Sequence, residues 1–76
     1  MKGHVVLVVD DDQMIRRLVR TVLEADDYEV SEARDGGEAL DLINSVKPEL
    51  VILDIMMPGM DGVEVCRRID HDRYKV

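Results

Sequence analysis

Two short aliphatic runs, each closed by aspartate, leave this chain few ways to fold. Val5–Val9 ends at Asp10-Asp11-Asp12, and Leu50–Leu53 ends at Asp54. Unbroken β-branched and aliphatic stretches of this length have the composition of strands buried on both faces, as in parallel sheets. Both runs are therefore read as the most buried strands, each emerging at its carboxyl end on a carboxylate.

The residues between the runs supply the helices. Met14, Ile15, Leu18, Val19, Val22 and Leu23 recur at three and four residues, with Arg16, Arg17 and Arg20 off the stripe. That spacing predicts an amphipathic helix, capped by Asp11 or Asp12. After Asp26 and Asp27, the segment 28–33 carries Tyr28 and Val30 in alternation and reads as a second strand. Asp35-Gly36-Gly37-Glu38 has an N-cap residue followed three positions later by glutamate, and Ala39, Leu40, Ile43 and Val46 form the next apolar stripe. Pro48 ends that helix. Pro58, Gly59 and Gly62 mark a loop after the last run, and a third helix is expected over 63–69.

The order is thus βαβαβα over a single unit, residues 1–76. Alternation of this kind implies an α/β architecture, a doubly wound parallel sheet with helices on both faces. Ligands in such sheets sit beyond the carboxyl ends of the strands, where strand order reverses. Asp10, Asp11 and Asp54 all fall at such ends.

Size and charge narrow the function. A chain of 76 residues has a small core, and below roughly 70 to 80 residues such a core rarely supplies more than about 3 to 5 kcal/mol. Cys66 is the sole cysteine, so it forms no internal disulfide, and no His/Cys cluster suggests structural zinc. Self-association is the expected route to stability. Seventeen acidic residues against ten basic give a net charge of −7, which disfavours contact with a phosphate backbone and suits a metal cation or basic partner. No apolar stretch reaches the length of a bilayer span, and Met1-Lys2-Gly3-His4 opens no signal peptide; a cytoplasmic location is expected.

Three stretches carry a resemblance. Val-Leu-Val-Val-Asp-Asp-Asp (6–12), Ala-Arg-Asp-Gly-Gly-Glu-Ala-Leu (33–40) and Pro-Glu-Leu-Val-Ile-Leu-Asp-Ile-Met-Met-Pro-Gly-Met-Asp-Gly (48–62) closely resemble two-component response-regulator receiver domains, which have a flavodoxin-like fold. The match runs over the whole chain in the right order. It implies strand order 2-1-3 and a phosphoprotein in which Asp54 accepts a phosphoryl group from a histidine kinase. It also implies a Mg²⁺ site formed by Asp10, Asp11, Asp54 and the backbone carbonyl of Met56, with Asp11 a direct ligand. Such a module receives a phosphoryl group and is not a turnover enzyme. Crowded carboxylates repel one another, and a hard divalent cation relieves the repulsion and neutralises the oxygens of a transferring phosphoryl group.

The family pattern also has a hydroxyl residue after a fourth strand and a lysine after a fifth. This chain reads to Tyr74-Lys75-Val76, about where the fourth strand begins, and is taken as a truncated half-domain. Thr21, Ser31, Ser45, Lys2, Lys47 and Lys75 hold no equivalent positions. Loss of the outer strands would leave Leu50–Leu53 as an apolar edge, a template for pairing with a second copy as a homodimer. A structural half-domain that assembles without phosphotransfer is accordingly the second reading.

Other residues have plainer roles. Asp12 is read as a helix cap and Asp61 as a turn or cap residue; Met56, Met57 and Met60 as loop packing; Cys66 as a packed or idle thiol; His4 and His71, with no partners at metal-ligand spacing, as surface residues. A calcium loop counted from Asp10 would need Gly and Glu where Ile15 and Thr21 stand. An Asp-x-Asp phosphatase could use Asp10 and Asp12, but it leaves 48–62 without explanation and lacks the later lysine and acidic motifs.

Overall fold

In the computed structural model, residues 4–53 are described. They form β1 (Val5–Val9), α1 (Gln13–Ala25), β2 (Glu29–Ala33), α2 (Gly36–Val46) and β3 (Leu50–Leu53). The three strands make one parallel sheet in the order β2-β1-β3. The expected third helix over 63–69 lies outside the described residues.

Alternation along β1 divides the core in two. Leu7 and Val9 point to one face, where they are buried with Ala33, Ala39 and Ile43 beneath α2. Val6 and Val8 point to the other, where they meet Val30 and, from α1, Val19 and Leu23. A central strand with both faces covered needs apolar side chains at every position, which is why its pattern is continuous. The doubly wound arrangement follows from these two opposed clusters.

Each helix begins on an aspartate. The Asp12 carboxylate accepts from the Met14 N–H at 2.9 Å, and the Asp35 carboxylate from the Glu38 N–H at 2.8 Å. Glu38 reaches back to the Arg34 N–H at 3.1 Å, so the capping box closes one residue before the cap itself. The helices end where the backbone turns left-handed or nearly so. Lys47 caps α2 with φ 55°, donating its N–H to the Ile43 carbonyl, and buried Pro48 leads into β3. After α1, Asp27 takes φ 65° and Tyr28 donates its N–H to the Leu23 carbonyl.

Two expectations are corrected. The Leu50–Leu53 run is not buried on both faces: Leu50 is 50% exposed and Ile52 is also exposed, while Val51 and Leu53 pack against the α2-side core. Among the described residues β3 has a neighbour on one side only, so its α1-facing side chains lie beyond the reach of a helix that packs over β2 and β1. The second strand starts at Glu29, not at Tyr28, whose ring is half-exposed and tilted against His4. His4 is half-exposed. Its Nδ1 contacts the Glu49 carboxylate, linking the chain just before β1 to the chain just before β3.

Candidate functional site

The carboxyl end of β1 is anchored in every direction the chain offers. Val9 is buried, and one residue later the Asp10 N–H still donates to the Ala33 carbonyl at 3.1 Å, carrying the β1–β2 ladder past the last strand residue. The Asp10 carbonyl accepts from Arg16 Nη1 at 2.6 Å. The Asp10 side chain accepts from the Asp12 N–H at 2.9 Å, closing a tight turn around Asp11. Asp12 then caps α1, and its carbonyl receives the Arg16 N–H at 3.1 Å. Asp11 is exposed, and among the described residues no hydrogen bond engages its carboxylate.

The register aligns the ends of the two strands. Val9 lies opposite Leu53 in the parallel pairing, so β1 and β3 end level with one another, on strands spaced by about 4.8 Å. Asp10 follows Val9 in sequence and Asp54 follows Leu53. Asp54 and Met56 themselves lie outside the described residues. Asp10 and Asp11 are neighbours in the turn after β1, with the Asp10 carboxylate on the Asp12 N–H and Asp11 exposed, and no three His, Cys, Asp or Glu side chains converge on an ion site among the described residues. The donor set fits a hard cation nonetheless, since Mg²⁺ keeps several waters and is commonly held by one or two carboxylates.

A second charged group sits beside this loop and was not singled out from the sequence. Glu32 on β2 accepts from Arg16 Nε at 3.1 Å and from Arg20 Nη1 at 2.9 Å, while Arg20 Nε also reaches Glu24 at 3.2 Å. The Arg20 hydrogen bond, reinforced by Arg16, holds the Glu32 carboxyl below the usual carboxylate range even though burial opposes it. The same bond raises Arg20, with Glu24 adding to it. The signal was in the pattern: Glu32 is two residues from Val30 on the α1-facing side of a strand, and a carboxylate there requires a cation.

Comparison with known proteins identifies the family and its fold. The sequence profile of the response regulator receiver domain matches residues 6–76. The chain belongs to this family. Response regulator MprA of Mycolicibacterium vanbaalenii is 53% identical over 64 residues, covering 84% of this chain and 28% of that protein. MprA of a Mycobacterium tuberculosis strain is 50% identical over the same length and coverage. The chain thus spans little more than a quarter of these relatives. Among solved structures, the N-terminal domain of a response regulator receiver protein from Methanoculleus marisnigri superimposes with a TM-score of 0.85 at 46% identity, covering 90% of this chain and 55% of that one. TrrA of Thermotoga maritima, in complex with Mg²⁺-BeF, gives 0.86 at 43% identity, covering 99% and 65%. Receiver domains are signalling modules of two-component systems and bind Mg²⁺ in their phosphorylation site. Among the described residues no helix of this receiver is long and apolar enough to cross a membrane.

Proposed function

We propose that Asp54 of this receiver accepts a phosphoryl group from a histidine kinase, beside a Mg²⁺ ion held by Asp10, Asp11, Asp54 and the Met56 carbonyl. The observation that carries the reading is the level ending of β1 and β3, with Val9 opposite Leu53 and an aspartate next in sequence after each. Bound Mg²⁺ would neutralise the transferring phosphoryl oxygens. In the transfer, a carboxylate oxygen of Asp54 forms the new bond to phosphorus as the kinase's phosphorus–nitrogen bond breaks, its electron pair returning to the imidazole. Asp11, uncommitted to any described hydrogen bond, is the carboxylate free to turn to the metal. Asp10 contributes while its own backbone holds the loop.

Incubation with acetyl phosphate and Mg²⁺, followed by intact-mass measurement, tests this. The chain gains one phosphoryl group, Asp10→Asn still gains it, and Asp54→Asn does not. Modification lost in Asp10→Asn but kept in Asp54→Asn would instead make Asp10 the nucleophile of a phosphatase.

A structural reading has its own support in the exposed β3 edge, where Leu50 and Ile52 face solvent on the side α1 leaves open. A second copy pairing along β3 would cover both, giving a homodimer in the cytoplasm. The net charge of −7 argues against nucleic acid as the partner of this segment. Light scattering that finds a folded monomer at micromolar concentration would end the dimer reading.

A further inference from the structure

We propose that Arg16, oriented by Glu32, is a positioning residue for the acidic loop, fixing the Asp10 backbone so that Asp10 and Asp11 are presented together to a divalent cation. The inference rests on the metal reading above and extends it to a residue outside the carboxylate set. The guanidinium is a planar fork, and here its two edges serve different strands. Nε lies on Glu32 of β2, and Nη1 lies on the carbonyl of Asp10, one residue past β1. Arg16 is 13% exposed and Glu32 19%, so both are withdrawn from bulk water and the geometry is held by packing as well as charge. A lysine, with a single point of charge, cannot span both acceptors in this way.

The consequence falls on the turn. With its N–H on Ala33 and its carbonyl on Arg16, the Asp10 backbone is held on both sides, and its side chain accepts the Asp12 N–H. That bond curls the loop around Asp11 and leaves the Asp11 carboxylate outward. Glu32 has a further effect. A guanidinium beside a cation site repels the cation, and the Glu32 carboxylate, kept ionised by Arg20 and Arg16, offsets that charge. Arg16 therefore acts on metal binding in two opposed ways, by geometry in favour and by charge against.

The sign of the mutational effect separates them. In a ¹⁵N-labelled chain titrated with MgCl₂, amide shifts of Asp11, Asp12 and Gln13 report binding, and hydrogen exchange without metal reports loop order. Arg16→Gln should weaken Mg²⁺ by about 10- to 100-fold, the range for loss of a group that orients a metal ligand. It should speed exchange of the Asp12 amide while Leu7 and Val9 keep their protection, and Arg16→Lys should not restore either property. Tighter Mg²⁺ binding in Arg16→Gln would show that only charge acts, and would overturn the proposal. So would an equal loss of protection throughout the sheet. If Arg16→Gln does not fold, Glu32→Gln decides: it must show the same changes to a smaller degree, and an unchanged Asp12 amide overturns the role given to Glu32. Should the unmutated chain show no Mg²⁺ response, the metal reading falls, whereas the exchange of Asp12 still decides whether Arg16 holds the loop.

Discussion

On one face of the sheet, α2 buries Gly36, Ala39 and Ile43; on the other, α1 buries none of its thirteen residues fully. Yet α1 has the cleaner separation of apolar and charged positions. Its stripe is simply wider than the surface it meets. Val19 and Leu23 reach Val6, Val8 and Val30, while Met14 is 81% exposed and Leu18 66%. What α1 lacks in buried area it partly makes up by ion pairing through Arg16 and Arg20 to Glu32. Amphipathicity thus reports that a helix has an apolar face, and the extent of the neighbouring sheet decides how much of that face is covered.

The comparison can be tested by single substitutions. Ile43→Ala, which opens a cavity beneath α2, should destabilise the fold by about 2 to 5 kcal/mol in denaturant titration. A loss under 1 kcal/mol would mean that α2 is no better seated than α1. Glu32→Gln should cost about 1.5 to 3 kcal/mol at neutral pH, the worth of hydrogen bonds to a charged group. Because the folded pKa of Glu32 is lowered, its contribution is present above its unfolded value of about 4.3 and disappears as pH falls through the lowered one. The difference in melting temperature between Glu32→Gln and the unmutated chain should therefore shrink below about pH 4; a constant difference would remove charge from the account of α1.

The two caps should be nearly equal. Asp35→Ala and Asp12→Ala each remove one side-chain acceptor at a helix start, at about 1 kcal/mol apiece. The smallest effect is expected for Leu18→Lys, within about 0.5 kcal/mol, since the side chain is already in water. A larger loss, dependent on protein concentration, would reveal that this face is covered in solution.

Most of the architecture was readable from periodicity and punctuation. β1 and β3 were delimited by their aspartates, Asp35 and Glu38 announced α2, and the receiver resemblance supplied the strand order that β2-β1-β3 bears out. The composition of β3 suggested burial on both faces because an aliphatic run looks the same in a central strand as in an edge strand; the apolar edge expected from the family's strand order is what Leu50 and Ile52 show. The Asp10–Asp11 pair stood out because adjacent acids exceed what a cap needs, and the structure gives Asp10 a turn bond to the Asp12 N–H while Asp11 is exposed. The need of Glu32 for a cation was legible but not its partner, since Arg16 lies sixteen residues away on α1 and meets it only through tertiary packing that periodicity does not reveal. His4 and Glu49, forty-five residues apart, escaped for the same reason.

The place of β1 in the middle of the sheet also orders events during synthesis. The strand is translated before both of its neighbours, and roughly forty residues separate Val9 from Leu53. At about 5 to 20 residues per second, the ribosome needs a few seconds to deliver β3. Throughout that interval five consecutive apolar residues have, at most, the edge of β2 to pair with. A nascent chain of this design is exposed to mispairing at its first strand, and the charges of Asp10, Asp11 and Asp12, directly after it, are placed to discourage contact with another chain.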